Sequence, residues 1–157
     1  MTAPTPSQTV GPFFGFALPF ENDAHAAAGD SHAIRVEGEV LDGASEPVGD
    51  ALVEASNGDQ FARCRTDSEG AFHFTLHMPA ADDGAPSFNI TVFARGLLRH
   101  LHTRMYFPDD DGENRIDRVL QLVDESRRQT LIARRDGDIL RFDIRLQGEG
   151  ETVFFAL

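Results

Sequence analysis

Residues 34–41 read IRVEGEVL, and the reading of this stretch decides the fold. Ile34, Val36 and Val40 fall on one side of an extended chain, and Arg35, Glu37 and Glu39 fall on the other. Successive side chains of a strand point to opposite faces, so a two-residue period predicts a half-buried β-strand. The pattern recurs outward along the chain. Phe72, Phe74 and Leu76 share a face in AFHFTL (71–76), as do Leu140, Phe142, Ile144 and Leu146 in ILRFDIRL (139–146). ALVEAS (51–56), FNITVFA (88–94) and LLRHLHTRMYF (97–107) are further β-rich runs, the last two separated by Arg95-Gly96. DGASEP (42–47), NGD (57–59) and GEGE (148–151) supply turns, and TVFFAL (152–157) closes the chain. Many short strands between turns predict an all-β, antiparallel β-sandwich over residues 34–157. One segment has a helical period instead. Ile116, Val119, Leu120 and Val123 recur at i, i+3, i+4 and i+7, which predicts a short helix with one apolar face.

Composition limits what this sandwich can do. A chain of 157 residues suits one domain with a sizeable core. Thirteen Phe against no Trp and one Tyr means that packing relies on phenylalanine. A net charge of −12 argues against binding a phosphate backbone, which needs clustered Lys and Arg. No apolar run approaches the length of a membrane span. The first residues lack a basic stretch followed by an apolar core, so no secretory signal is expected. Cys64 is the only cysteine, so no internal disulfide forms and a reducing cytoplasm is the simplest home.

Residues 1–33 stand apart as an N-terminal arm and connector. The arm, TPSQTVGPFFGFALP (5–19), carries Phe13, Phe14, Phe16 and Leu18 but is punctuated by Pro6, Gly11 and Pro12, so it is expected to fit no regular element. Burying such a segment requires a neighbouring surface to satisfy its backbone polar groups. The arm is therefore expected to lie along this chain or another one; the alternative is a loose leader. Residues 20–33 form a polar connector.

Few residues carry a chemical signature. His100 and His102 sit at i and i+2, so on a strand they point the same way about 7 Å apart. Two imidazoles so placed can chelate one ion, or lie on a polar or interface face bonded to neighbours. His73 and His77 would be about 13 Å apart, too far to share an ion. Asp109, Asp110 and Asp111 read as a solvated loop without the spacing of a calcium loop. Arg95 interrupts an apolar run from Ile90 to Leu98. Its guanidinium could fork onto a protein carboxylate or onto an anionic ligand, and a structural pair is the simpler expectation.

Four long stretches carry a resemblance: TPSQTVGPFF (5–14), FARGLLRHLHTRMYF (93–107), RRQTLIARR (127–135) and RFDIRLQGEGETVFF (141–155). In this order they closely resemble the α-chain family of the protocatechuate 3,4-dioxygenases, within the intradiol ring-cleaving dioxygenases. The resemblance runs from Thr5 to the end, with the loops at 20–33 and 57–61 shortened. It implies a β-sandwich of the intradiol dioxygenase type and a β-chain partner of related fold in a higher-order αβ oligomer. The implied reaction cleaves 3,4-dihydroxybenzoate with O2 to 3-carboxy-cis,cis-muconate. The implied cofactor is Fe(III), held by two Tyr and two His of the partner β subunit. The family's His-x-His corresponds here to Ser87 and Asn89, and the single Tyr106 lies outside the ligand positions, so no metal ligand and no catalytic residue is expected in this chain. The resemblance instead implies substrate-binding positions at Thr9, Gly11, Pro12 and Arg95. Phe13 departs from the Tyr common after this Gly-Pro and removes one hydroxyl. Two other functions compete: a sandwich scaffold without chemistry, and an independent metal enzyme using His100 and His102.

Overall fold

Each alternating run of the sequence buries its apolar side between two facing sheets. The computed structural model describes residues 4–81 and 84–156; Met1–Ala3 of the arm segment and Leu157 of the closing stretch lie outside them. The strands are β1 (Ile34–Leu41), β2 (Leu52–Ser56), β3 (Phe61–Arg65), β4 (Ala71–Leu76), β5 (Ser87–Phe93), β6 (Leu101–Tyr106), β7 (Arg134–Asp136), β8 (Ile139–Arg141) and β9 (Ile144–Arg145). One sheet has the order β4-β1-β8-β7, with β9 also on β1; the other has the order β3-β2-β5-β6. The second sheet is antiparallel throughout. In the first, β1 pairs antiparallel with β4 but parallel with β8 and β9. β3 (FARCR) lies outside the β-rich runs that the sequence marks.

The expected inward residues line the core. Val36, Val40, Phe72, Phe74 and Leu76 meet Val53, Ala55, Phe88, Ile90, Val92 and Met105 across the sandwich. Each fully buried apolar side chain of Phe, Leu or Val size contributes roughly 1.5–3 kcal/mol. Phenylalanine dominates the large positions, and Phe72 and Phe74 contact each other at 5.7 Å between ring centroids.

Three expectations need correction. First, residues 139–146 do not form one strand, although Leu140, Phe142 and Ile144 are buried as read. The chain breaks between β8 and β9, where the Phe142 amide donates to the Glu37 carbonyl at 2.8 Å. The Phe142 carbonyl then lies against Gly38, in space a Cβ would overlap. Second, the helical period around 116–123 becomes three short pieces: α2 (Asp111–Ile116), α3 (Arg118–Gln121) and α4 (Glu125–Arg128), followed by a 3-10 turn at Gln129–Leu131. Asp117 is extended, with φ −61° and ψ 125°, and its carboxylate caps the Leu120 amide at 2.8 Å. Ile116 lies before this break and is 72% exposed, whereas Leu120 and Val123 are buried. The capping acid re-phases the apolar stripe. Third, the arm does contain a regular element, the single helical turn α1 (Phe14–Ala17). Its apolar residues are not buried by this chain: Phe13 is 75% exposed and Phe16 73%.

The Gly38 contact generates a stability prediction. Gly38→Ala forces the Phe142 backbone out of its bond to β1 and costs at least about 3 kcal/mol. Urea denaturation checks this through a lowered midpoint at unchanged slope.

Candidate functional site

The site lies where the arm crosses one end of the outer face of the second sheet. Register places Leu52 of β2 between Arg65 of β3 and Phe93 of β5 on this face. After Phe93 the chain turns, with the Leu97 amide donating to the Ala94 carbonyl at 3.3 Å. Gly96 occupies this turn with φ +91°, a left-handed conformation that costs glycine little. The turn throws Arg95 outward and leaves the Gly96 amide pointing at the arm. That amide donates to Thr9 Oγ1 at 3.0 Å.

Arg95 is more exposed than the apolar run suggests; its side chain is 64% accessible. Its Nε donates to Asp50 Oδ2. The structural pair expected from the sequence therefore exists, and Asp50 is its carboxylate. Nε is one of five donors on a guanidinium, and among the described residues the two terminal nitrogens have no hydrogen-bond partner. Asp50 thus orients the group and leaves its terminal fork for another acceptor.

A cavity of about 170 Å³ opens beneath the arm, with Pro12, Gly15, Phe16, Asp50, Arg65 and Arg95 among its lining residues. Two guanidiniums face one carboxylate, so the cavity carries an excess positive charge beside phenylalanine rings. This arrangement suits an aromatic or apolar ligand that bears a carboxylate. Of the four positions singled out in the sequence, Pro12 and Arg95 share the cavity, and Thr9 is tied to the residue after Arg95. Gly11 is exposed, and no atom of this chain lies within 4 Å of where its Cβ would be. Its carbonyl accepts from the Phe14 amide at 3.2 Å and starts the helical turn. Asp50, Gly15 and Arg65 are not among the positions that the sequence singles out. The alternation of FARCR could have exposed Arg65 as an outward residue; nothing local marks Asp50.

The donor set does not fit iron. Ser87 and Asn89 border a second cavity, of about 220 Å³, together with Arg104 and Asp117. Ser87, Asn89 and Arg104 offer no imidazole or anionic ligand; of the two carboxylates on the lining, Asp59 and Asp117, the second is already held by the Tyr106 hydroxyl and the Leu120 and Ala85 amides. Arg104 Nε donates to Asn89 Oδ1 at 3.3 Å. Tyr106 is wholly buried, and its hydroxyl donates to Asp117 Oδ1 at 2.9 Å. Burial pushes the Tyr106 phenol up to about 12; Arg104 opposes this, and Asp117 adds to it. A tyrosine so held is a poor source of tyrosinate. His100 and His102 meet edge-on at 4.4 Å between ring centroids, and His102 Nδ1 lies 3.2 Å from Thr91 Oγ1. Among the described residues, no group of three or more His, Cys, Asp or Glu is placed to hold a metal ion.

Comparison with known proteins bears on the fold and the family. A dioxygenase domain from Streptomyces sp. SirexAA-E, part of a fusion with a carbohydrate-binding protein, superposes with a TM-score of 0.61 at 21% identity, covering 93% of this chain and 99% of that one. Catechol 1,2-dioxygenase from Pseudomonas arvilla C-1 superposes with a TM-score of 0.54 at 19% identity, covering 79% and 55%. The fold is that of the intradiol dioxygenases. No protein-family model matches the chain. The protocatechuate 3,4-dioxygenase alpha chain of Burkholderia cepacia is 36% identical over 189 aligned positions, covering 96% of both chains. That of Pseudomonas putida is 37% identical over 192, covering 96% of this chain and 95% of its own. This chain belongs to the family of protocatechuate 3,4-dioxygenase alpha chains. Both alignments are longer than its 157 residues, so internal gaps separate it from these relatives.

Tyr106 offers a direct check, because it is the only tyrosine. Its folded value lies above the ordinary 10, so the stability it adds is complete below pH 10 and is lost as the pH rises towards about 12. Ultraviolet titration should show no tyrosinate step near pH 10 in the folded chain. In urea the step should return to about 10.

Proposed function

We propose that this chain is the α, non-iron-binding subunit of a protocatechuate 3,4-dioxygenase, and that it completes the substrate pocket of an iron-bearing β subunit. The observation that carries this reading is the convergence of Thr9 and Pro12 with the Arg95-Gly96 turn, where the Thr9–Gly96 bond spans 87 residues of sequence. They meet on a chain whose own donor set does not fit iron. The reaction is cleavage of 3,4-dihydroxybenzoate by O2 to 3-carboxy-cis,cis-muconate, with non-haem Fe(III) held by the partner.

Within that pocket each residue has a physical task. The free fork of Arg95 binds the benzoate carboxylate, and Asp50 holds the guanidinium in place. Pro12 fixes the local backbone and presents an apolar wall. Gly11 lets the partner's backbone or the substrate approach closely, which fits the open space around it. Thr9 spends its acceptor on the Gly96 amide and keeps its hydroxyl proton for a partner. The exposed Phe13, Phe16 and Phe20 supply apolar surface for the β subunit to cover. A cytoplasmic location suits the single, buried, unbridged Cys64; none of the helices is long and apolar enough to cross a membrane among the described residues.

Two measurements test the proposal. Purified alone, the chain should bind no stoichiometric iron and cleave no catechol; co-expressed with the β subunit, it should yield a coloured, iron-loaded, active complex. Turnover by the chain alone would overturn the reading. In the complex, Arg95→Ala should raise the KM for 3,4-dihydroxybenzoate by about tenfold or more, the loss of one charge-assisted hydrogen bond. Assembly should be unchanged by size-exclusion chromatography, since Arg95 is exposed. Unaltered kinetics would remove Arg95 from the pocket.

A further inference from the structure

The arm must be held at a defined height above the sheet if its tip is to line a pocket. Among the described residues 4–20, only Gly15 is fully buried. What buries it is Arg65. A Cβ on Gly15 would stand 3.1 Å from Arg65 Nε and 3.4 Å from its Cδ and Cζ, so the backbone of the helical turn rests on the guanidinium. The next residue closes over it: the Phe16 ring lies 5.1 Å from Arg65 Cζ. Its neighbour on the same outward side of β3 works differently. Arg63 is neutralised by Glu54 Oε1, at 2.9 and 2.6 Å, and donates to the Leu18 carbonyl at 3.0 Å. Asp50, the carboxylate in the cavity, pairs with Arg95, and among the described residues Arg65 forms no ion pair. The Arg65 head group is therefore committed to the arm.

We infer that Arg65 is a positioning residue: its guanidinium, set between the Gly15 backbone and the Phe16 ring, fixes the turn after Pro12 and so sets where Thr9, Gly11 and Pro12 stand relative to Arg95. A cation is drawn to the face of an aromatic ring, and a planar guanidinium also stacks there, which an ammonium does not. The planar group further explains the glycine. A larger residue at position 15 would lift the turn or displace the arginine. The inference rests on the reading that the arm lines the substrate pocket.

Two readouts on Arg65→Ala and Arg65→Lys keep the inference and that reading separate. The first is amide hydrogen exchange in the free full-length chain. Arg65→Ala should speed exchange at Phe16, Ala17 and Leu18 by about tenfold, with β1 and β5 amides unchanged as a control for folding. Arg65→Lys should fall between wild type and alanine. The second is steady-state kinetics of the αβ complex. Arg65→Ala should raise the KM for 3,4-dihydroxybenzoate by about fivefold with kcat within about twofold. Unchanged exchange in the arm overturns the positioning role. Faster exchange with wild-type kinetics upholds that role and overturns the pocket reading of the arm. Loss of protection throughout β1 and β5 also overturns it, since Arg65 would then serve the sandwich rather than the arm.

Discussion

One hydrogen bond, from the Gly96 amide to Thr9 Oγ1, joins two very different parts of the chain directly. One is an exposed arm with little structure of its own. The other is a tight turn at the end of a sheet strand, which glycine at φ +91° makes possible. The bond is modest, on the order of 1 kcal/mol. Its effect is larger than its energy, because it sets the arm beside Arg95 and its partner Asp50. The cavity beneath the arm, and its excess positive charge, depend on that placement.

The sandwich supplies the platform. A platform of two close-packed sheets is rigid, since packed interiors resist small shifts. The arm is the opposite: Phe13 and Phe16 face solvent, and its contacts with the sheet include the outward Arg63 and Arg65 and the Gly96 amide. A rigid scaffold bearing an exposed apolar arm is the form expected of a half-site, complete only when a second surface covers it. The other outer end of the same sheet shows what happens where no such task is imposed. There Tyr106 and Asp117 are drawn into a closed network that also caps a helix. The Ala85 amide joins it at 3.2 Å.

Much of this was legible in the sequence. Period-two alternation located β1 and β4 and their buried residues, because a half-buried strand writes its exposure pattern directly into residue type; β-rich composition between turns located β2, β5 and β6. The departures at 139–146 and 116–123 share one cause: a tertiary contact overrode a local period. The stretch 139–146 alternates cleanly yet breaks, because Gly38 on another strand admits the Phe142 carbonyl. The helix at 116–123 breaks because Asp117 turns to cap Leu120 and receive Tyr106. In the site, Thr9, Pro12 and Arg95 came from a resemblance in four long motifs, which residue type alone does not reveal. Alternation could mark Arg65 as outward, but its role depends on register across β2, β3 and β5, a pairing property that no single strand encodes, and Asp50 lies in the turn before β2, where nothing local marks it.

The central claim is that this chain furnishes a lining and a cation to a metal centre held by its partner. The most direct test is a crystal structure of the αβ complex with 3,4-dihydroxybenzoate bound. The account predicts the substrate carboxylate within hydrogen-bond reach of the terminal nitrogens of Arg95, Thr9 and Pro12 on the pocket wall, and every protein ligand to iron on the β subunit. Iron bound by side chains of this chain, or an arm directed away from the substrate, would contradict it.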